Sequence, residues 1–236
     1  MTQSFPKGSL LLSPHLDDLA FSLGAALLDG RFPNATLANV FCISASAVND
    51  NQVKTVTSVR KSEDEEFFHS LDTPVNVVYL DRLDAPLRLG IPDEEVCNSI
   101  SLCEKELSYL HDFIKSRSHS LLIAPLAIGG HVDHRLVYHT ACILARDGWS
   151  VAFYEDLPYA GGIEMEDIEN LVKETSVILG RDLHSQQLHS GWRGNKKLDA
   201  VLTYRSQLGP TTLERIICHS QRLNDTAITE RLWCAD

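Results

Sequence analysis

Histidine and aspartate occur in two short clusters, and their imidazole and carboxylate groups can bind metals or transfer protons. The first cluster is Pro14-His15-Leu16-Asp17-Asp18, which follows the apolar run Leu10–Leu12. Aspartate is a favoured N-cap, but capping a helix would explain only one of these three polar side chains. The cluster is therefore a candidate site for metal binding or proton transfer.

The second cluster is Gly129-Gly130-His131-Val132-Asp133-His134-Arg135, which follows the apolar run Leu121–Pro125. The glycine pair allows the backbone to turn close to a bound group. His131 and His134 are three residues apart, so on a helical turn both side chains can face one point. This cluster therefore predicts a second set of groups for the same kind of chemistry.

Together the clusters supply His15, Asp18 and one or both of His131 and His134. Two imidazoles and one carboxylate with an open position form the ligand set of a catalytic zinc site, whereas structural zinc sites are closed by four ligands, usually thiolates. Asp17, beside a ligand, would then be free to act as a base. The sequence therefore predicts a catalytic metal site.

A parallel sheet is the arrangement that would bring the two clusters together. Short β-rich runs alternate with segments of helical period, which predicts an α/β fold, a Rossmann-like three-layer sandwich with a mostly parallel sheet. The predicted strands are Ser9–Ser13, Ala35–Ser44, Val75–Leu80, Ser120–Pro125 and Ser150–Tyr154, and the predicted helices are Leu19–Asp29, Val53–Leu71, Cys103–Lys115 and Leu136–Arg146. Because the carboxyl ends of parallel strands open onto one crevice, we expect both clusters at that edge.

The C-terminal part of the chain has a different pattern from the core, which we place at about residues 8–156. Residues 157–236 begin with short segments rich in Asp, Glu and His, followed by two predicted helices, Lys196–Gln207 and Thr212–Gln221. The first of these helices carries an apolar stripe, so we expect this helical and short-strand extension to pack on the core. Residues 1–236 would then form a single domain.

Composition excludes several classes of protein. The 236 residues are 44% hydrophobic and 22% charged, with a net charge of −11, which suits a chain with a substantial core and argues against nucleic-acid binding. Neither a membrane span of ~20 apolar residues nor a signal-peptide core is present. The six cysteines form no C-x-x-C pair, which is typical of reduced thiols. We expect a cytoplasmic protein, and a homo-oligomer is compatible with the sequence.

The two clusters, in this order and at these strand ends, resemble the signatures of the PIG-L/LmbE-type zinc-dependent deacetylases, which act on N-acetylglucosamine-containing substrates. Further matches extend the resemblance over nearly the whole chain: Val59-Arg60 with Glu63, Asp84-Ala85-Pro86, Tyr154-Glu155-Asp156-Leu157-Pro158-Tyr159, Lys197 with Ala200, Tyr204 with Ser206-Gln207, and Glu230-Arg231-Leu232-Trp233. Many members have H-P-D-D-E where this chain has His15-Leu16-Asp17-Asp18-Leu19. That departure bears on substrate more than on catalysis.

The resemblance implies that His15, Asp18 and His134 bind one zinc ion per chain, for which Fe²⁺ or Co²⁺ could substitute. It also implies that Asp17 is the general base and that His131 stabilises the oxyanion or acts as an acid. Asp133 either orients His131 or His134 or begins the following helix, since zinc-binding histidines usually have such an orienting partner.

The implied substrate is a small-molecule N-acetylated amino sugar or its glycoside. Candidate contacts to it are Arg60, Asp84, Arg88 and Tyr159, although Arg60 could instead pair with Glu63 or Asp64 on the same helix. The sequence does not distinguish deacetylation from hydrolysis of a larger amide.

Two other functions compete with deacetylation. One is a non-catalytic sugar- or nucleotide-binding module, although the first strand-to-helix turn has no G-x-G-x-x-G motif. The other is a metallo-phosphoesterase, although two-metal phosphoesterases need more ligands than the two clusters offer.

Overall fold

The computed structural model describes residues 4–45, 53–99, 103–190 and 194–235. Within these ranges the strands form one seven-stranded sheet in the order β3-β2-β1-β4-β5-β7-β6. The strands are β1 (Leu10–Ser13), β2 (Thr36–Asn39), β3 (Asn76–Tyr79), β4 (Leu122–Pro125), β5 (Val151–Tyr154), β6 (Leu183–Ser190) and β7 (Ile228–Ala235). The helices are α1 (Asp18–Leu28), α2 (Val53–His69), α3 (Ala85–Leu89), α4 (Glu104–Lys115), α5 (Val132–Arg146), α6 (Met165–Leu179), α7 (Gly194–Val201) and α8 (Thr212–Leu223).

Strands β1 to β5 pair in parallel, which confirms the predicted mostly parallel α/β fold. Every residue of β1, β4 and β5 is buried, as expected where helices cover both faces of a parallel sheet. The chain runs from β1 outward through β2 to β3, and then from β4 outward through β5. The strand order thus reverses between β1 and β4, where a sheet of this type opens its binding crevice.

The C-terminal extension completes the same sheet. Strand β7 pairs antiparallel with β5, and β6 pairs antiparallel with β7 along eight residues. Leu188 and Leu232 from these strands belong to the same buried apolar cluster as Leu11 and Phe153. The extension was expected to pack on the core and does so through strand pairing, while the boundary near residue 157 stays a prediction.

The extension contains more regular structure than the sequence analysis assigned to it. Helix α6 has 15 residues, and β6 and β7 have eight residues each, where only short segments were expected. The predicted helix Lys196–Gln207 is wrong at its end, since α7 stops at Val201. The chain turns there because Tyr204 and Ser206 are hydrogen-bonded to carboxylates of α2.

Two other predicted boundaries differ from the structure by four residues or more. Strand β2 ends at Asn39 rather than Ser44, because its partner β1 ends at Ser13, opposite Asn39. Helix α5 begins at Val132 rather than Leu136, because the His131 side chain accepts a hydrogen bond from the backbone N–H of Asp133 and caps the helix there. The second cluster therefore lies on the first turn of α5.

Helix α1 is fully buried and is interrupted at Leu23, whose φ of −126° and ψ of 17° are not helical. The backbone N–H groups of Ala25 and Ala26 donate to the Glu230 carboxylate of β7, each at 2.9 Å. Lys197, also buried, lies 2.6 Å from the same carboxylate. The extension is thereby tied to the helix that follows the first cluster.

The remaining sequence expectations concern the membrane and the cysteines. Among the described residues, no helix is long and apolar enough to span a bilayer. The six cysteines are free thiols, as the sequence analysis expected. The cytoplasmic location stays a prediction.

Candidate metal centre and active site

The carboxyl ends of three neighbouring strands bring the predicted site residues together. The first cluster follows β1, the second follows β4, and Asp156 follows β5. Three side chains, His15, Asp18 and His134, place one nitrogen or oxygen atom each within 4.8 Å of one another. Asp18 Oδ2 lies 3.5 Å from His15 Nδ1 and 3.3 Å from His134 Nε2. The two clusters thus converge at the switch point of the sheet.

Each of the two histidines is held from behind by a buried carboxylate. His15 Nε2 lies 3.0 Å from Asp133 Oδ2, and His134 Nδ1 lies 2.6 Å from Asp156 Oδ1. These contacts leave His15 Nδ1 and His134 Nε2 directed toward Asp18. A carboxylate on the outer nitrogen is the usual device that fixes the tautomer and orientation of a metal-binding histidine.

A buried nitrogen that makes no hydrogen bond tests whether a metal fits. His134 Nε2 is buried and, within the part of the chain that the structure describes, forms no hydrogen bond, although Asp18 Oδ2 lies 3.3 Å away. Because buried polar atoms are rarely left unsatisfied, this atom calls for a ligand. Two imidazoles and a carboxylate are suited to a divalent ion. The His15–Asp18–His134 group therefore fits a divalent metal.

A second group could in principle compete for the metal. His15, His131 and Asp133 also lie within 4.8 Å of one another. The Asp133 carboxylate, however, already accepts hydrogen bonds from Ala85 N at 2.8 Å and from Arg88 at 2.5 Å. The His15–Asp18–His134 group is favoured as the metal site, because it contains the buried His134 Nε2 that makes no hydrogen bond.

The charges of the group reinforce one another. Burial opposes protonation of His15 and His134, but the surrounding carboxylates outweigh it and raise the pKa of both rings. Burial likewise opposes ionisation of Asp18, but His134 and His15 outweigh it and lower the Asp18 pKa. The site thus attracts positive charge, whether as protons or as a cation.

Asp17 occupies the N-cap position of helix α1 and lines a cavity. Within the described residues its side chain makes no capping hydrogen bond to α1, so helix capping does not explain this carboxylate. Burial and the neighbouring Asp18 raise the Asp17 pKa to about 6, although His15 and Arg60 oppose the shift. A carboxyl group poised in this range is suited to general-base catalysis.

His131 lines the same cavity, with its ring centroid 4.7 Å from that of His15. Its Nδ1 accepts the backbone N–H of Asp133 at 3.1 Å. Burial, together with His15 and His134, lowers the His131 pKa to about 2. The ring is therefore neutral, and Nε2 is the nitrogen left for other contacts.

The cavity has a volume of about 230 Å³ and is lined by His15, Asp17, Arg60, Asp84, Pro86, Asp93, Val96, His131, Tyr159 and Gln207. Its size is below the roughly 300–1,000 Å³ of drug-sized ligand pockets, so it suits a small group such as one sugar ring. A larger groove of about 840 Å³ lies between α6 and β6, and its lining includes none of the predicted site residues.

Three of the four predicted substrate contacts, Arg60, Asp84 and Tyr159, line this cavity. Arg88 is placed differently: its guanidinium donates to Asp133 Oδ1 at 2.5 Å and to the Leu83 carbonyl at 2.8 Å. It therefore supports Asp133 from behind. Asp133 in turn holds His15, whereas the sequence analysis expected it either to orient His131 or His134 or to begin the following helix. Asp133 does lie in the first turn of α5.

Arg60 and Asp84 contact the cavity from different surroundings. Arg60 donates to Ser44 Oγ at 3.0 Å. The carboxylates of Glu63 and Asp64, its predicted alternative partners, accept hydrogen bonds from Ser206 and Tyr204. Asp84 caps α3 by accepting the Leu87 N–H at 3.2 Å, and burial raises its pKa.

Tyr159 packs edge-on against His134, with ring centroids 5.6 Å apart. Gly129 has a φ of +86°, and a Cβ there would lie 2.4 Å from the Tyr159 ring. Only glycine therefore allows Tyr159 to approach the site so closely.

Sequence analysis assigned no role to several residues of the site. Asp156 supports His134, and Pro86, Asp93, Val96 and Gln207 line the cavity. The position of Asp156 directly after β5 was a usable signal, because polar residues at that edge of the sheet face the crevice.

Comparison with known proteins identifies the family. A family model described as "PIG-L: GlcNAc-PI de-N-acetylase" matches residues 10–144, more than half of the chain. The chain belongs to the PIG-L family. This confirms the resemblance that the two clusters carry.

Relatives of this PIG-L protein include a 2'-N-acetylparomamine deacetylase from Streptomyces fradiae, 35% identical over 175 residues. The match covers 70% of this chain and 62% of that relative, so it spans less than two thirds of the relative's length.

Solved structures share the fold of the PIG-L chain. A deacetylase from the teicoplanin biosynthesis pathway has a TM-score of 0.70 at 19% identity and covers 98% of both chains. A zinc-inhibited form of the teicoplanin deacetylase has a TM-score of 0.69, also at 19% identity and 98% coverage of both chains. At this level of identity, the two structures show a common fold.

Proposed function

We propose that this chain is a metal-dependent amide hydrolase that removes the N-acetyl group from an N-acetylated amino sugar or its glycoside. One observation carries the proposal: the His15–Asp18–His134 group, with its unsatisfied buried nitrogen, lies beside a cavity lined by Asp17 and His131. Membership of a family described by de-N-acetylation supports it.

We propose zinc as the bound ion, one per chain, although Fe²⁺ or Co²⁺ would suit the same ligands. His15 Nδ1, an Asp18 oxygen and His134 Nε2 would hold it. A divalent ion there would supply a water of lowered pKa and polarise the amide carbonyl. One structural relative is described as a zinc-inhibited form. The identity of the ion in this chain should therefore be measured directly.

In this proposal, Asp17 accepts a proton from the water that attacks the acetyl carbon. His131, held neutral by burial, donates a hydrogen bond from Nε2 to the oxygen that becomes negative. The C–N bond breaks as the nitrogen receives the proton that Asp17 took from the water, while the neutral His131 keeps its Nε2 proton in the hydrogen bond to the oxygen. The products are acetate and the free amine.

The proposed substrate follows from the cavity and from the relatives. A cavity of about 230 Å³ with Arg60, Asp84 and Tyr159 in its walls suits a polar ring. The named relatives act on 2'-N-acetylparomamine and in the teicoplanin pathway. An acetamido group on such a ring would enter the cavity. A cytoplasmic location and a homo-oligomeric assembly remain predictions from the sequence.

Acetate release from a panel of N-acetylhexosamine glycosides and N-acetylated aminoglycosides tests the proposal. The protein is first reconstituted with zinc, iron(II) or cobalt(II). We expect acetate release by the wild type and none by His134→Ala. Hydrolysis of p-nitrophenyl phosphate alone would show a phosphoesterase. Sugar binding without acetate release would show a binding module.

A further inference from the structure

The half-buried side chain of Gln207, from the C-terminal extension, lines the active-site cavity and carries an amide nitrogen that makes no hydrogen bond among the described residues. Gln207 lines the cavity together with Asp17 and Arg60. In the described portion of the chain, its Nε2 is buried and has no hydrogen-bond partner, although its backbone N–H donates to the Tyr204 carbonyl at 2.9 Å. A buried N–H left unpaired is costly, so a group in this position calls for a ligand that accepts its hydrogen bond.

The segment that carries Gln207 is fixed in place by helix α2. The Tyr204 hydroxyl donates to Asp64 at 3.0 Å, and Ser206 donates to Glu63 from its backbone N–H at 2.8 Å and from its hydroxyl at 2.6 Å. Tyr204 and Asp64 are fully buried. The backbone at Gln207 is thus held in place before a ligand arrives, which reduces the entropy that binding would otherwise lose.

The other walls of the cavity are rich in hydrogen-bond acceptors. Asp17, Asp84 and Asp93 line it with carboxylates, and Arg60 contributes a guanidinium. A sugar hydroxyl both donates and accepts hydrogen bonds, so it needs an N–H or O–H donor as well as a carboxylate acceptor. The amide of Gln207 offers N–H donors and a carbonyl oxygen, and therefore complements a hydroxyl group among the carboxylates.

We propose that Gln207 is a specificity-determining residue, whose amide donates a hydrogen bond to a hydroxyl of the same ring that carries the acetamido group. This inference rests on the proposed function, because Asp17 in the same cavity fixes where the acetamido group reacts. A site built to bond a hydroxyl discriminates strongly against analogues that lack it. Gln207 would thus select sugars in which this hydroxyl is free.

Deoxy sugars test this inference in metal-reconstituted enzyme. The substrates are methyl N-acetylglucosaminide and its 3-deoxy, 4-deoxy and 6-deoxy analogues, and acetate release is measured for the wild type and Gln207→Ala. We expect Gln207→Ala to lower kcat/KM about tenfold on the parent sugar, mainly through KM, since one buried hydrogen bond is lost. One deoxy analogue should lack the hydroxyl that Gln207 binds. On that analogue the wild-type kcat/KM should fall by the same factor, and Gln207→Ala should have the same kcat/KM as the wild type.

Gln187→Ala is the matched control, because Gln187 is exposed on β6. Metal content and far-UV circular dichroism should be the same in all three proteins. An unchanged kcat/KM in Gln207→Ala would overturn the inference. So would an equal loss on all three deoxy analogues, since that would mean a general distortion of the cavity.

A binding measurement separates this inference from the proposed function. If the wild type releases no acetate from any sugar, the proposed function fails. Isothermal titration calorimetry with methyl glucosaminide then tests whether Gln207 contributes to sugar binding. About tenfold weaker binding to Gln207→Ala would support the inference. Equal affinity, or no binding to the wild type, would overturn it.

Discussion

Asp17 and Asp18 are neighbours in sequence but have opposite electrostatic environments. Asp18 lies against His134 and His15, which lower its pKa despite burial. Asp17 points into the cavity, where burial and Asp18 raise its pKa to about 6. When two neighbouring carboxyl groups have different pKa values, one commonly transfers protons and the other stays ionised to stabilise positive charge. In this chain the division favours Asp18 as ligand and Asp17 as base.

Replacing Asp17 by Asn should reduce turnover and leave metal binding near normal. The variant keeps the size of the side chain but loses the proton acceptor, and general-base catalysis is typically worth about 10²- to 10⁴-fold. We expect kcat to fall by that factor while KM changes little. Steady-state kinetics with elemental analysis measures both. Near-wild-type turnover, or loss of the metal, would refute the assignment of Asp17 as base.

Replacing His134 or His15 by Ala should remove most of the bound metal, since each supplies one of three protein ligands. Elemental analysis of the purified variants measures this directly. His69→Ala, at the exposed end of α2, is a control that should keep full occupancy. Full occupancy in both site variants would mean that the metal binds elsewhere.

Asp156→Asn should weaken metal binding without abolishing it. Its carboxylate contacts His134 Nδ1 and also accepts the Ile128 N–H at 3.0 Å. Loss of such an orienting partner typically lowers metal affinity about 10- to 100-fold. Competition with a chromophoric chelator measures this shift. An unchanged affinity would show that His134 is oriented by its packing alone.

At the level of residues, local spacing revealed the clusters, and distant contacts stayed hidden. His15 and Asp18, or His131 and His134, lie within a turn of each other, so their convergence could be predicted. The carboxylate that contacts His15 Nε2 belongs to Asp133, 118 positions away, and the position of the Gln207 amide nitrogen depends on tertiary packing. Such contacts are set by the fold as a whole.

At the level of elements, helix α2 joins the core to the extension through one buried carboxyl group. Asp64 accepts hydrogen bonds from Asn39 of β2, Tyr79 of β3 and Tyr204. Burial raises its pKa to about 7, against the opposing effect of these three donors, and the charge of Asp17 adds to the shift. The folded protein therefore holds a proton on Asp64 where the unfolded chain, with a pKa near ~3.9, does not.

Asp64 should make stability depend on pH between about 4 and 7. Its folded pKa is raised, so its contribution is fully present below the unfolded pKa and is lost as pH rises through the folded pKa. In that window, the free energy of unfolding of the wild type should fall relative to Asp64→Asn, by up to ~1.4 kcal/mol per pH unit. Urea unfolding across this range measures the difference.

The other titrating groups are the same in Asp64→Asn and the wild type. Their contributions to the pH dependence of the free energy of unfolding therefore cancel in the difference between the two proteins. Asp167→Asn, at an exposed position of α6, should follow the wild-type curve. Parallel curves for Asp64→Asn and the wild type would show that Asp64 is ionised in the folded protein throughout the window.

The elements of the extension differ in how far the sequence predicts them. Helix α6 buries Ile168, Val172, Thr175 and Leu179, which have helical spacing and precede Gly180, so its pattern was available. Strand β6 buries Leu183, Leu188 and Ser190, and its two buried apolar residues lie five positions apart rather than alternating. Its pairing with β7, about 40 residues later, decides its structure, and no local signal carries such a pairing.

At the level of the whole molecule, the site and the core are separate. One buried apolar cluster extends from Phe5 to Trp233 and includes residues of every strand except β3, whose Val77 packs against it half-buried. The candidate metal ligands lie at the carboxyl rim of that sheet, outside its apolar layers. The free energy of folding therefore comes mainly from burial of this cluster, not from the ion.

Removing the metal with a chelator should abolish activity and leave the fold intact, because a catalytic ion at the rim need not hold the core together. Far-UV circular dichroism should be unchanged. The melting temperature should fall by about 5 to 10 °C from its value at a metal concentration 100 times Kd, since a ligand at that excess stabilises the folded state by about 2.7 kcal/mol. Restoring the ion should restore both activity and melting temperature. Loss of helical signal on chelation at 25 °C would show instead that the metal is a structural part of the fold.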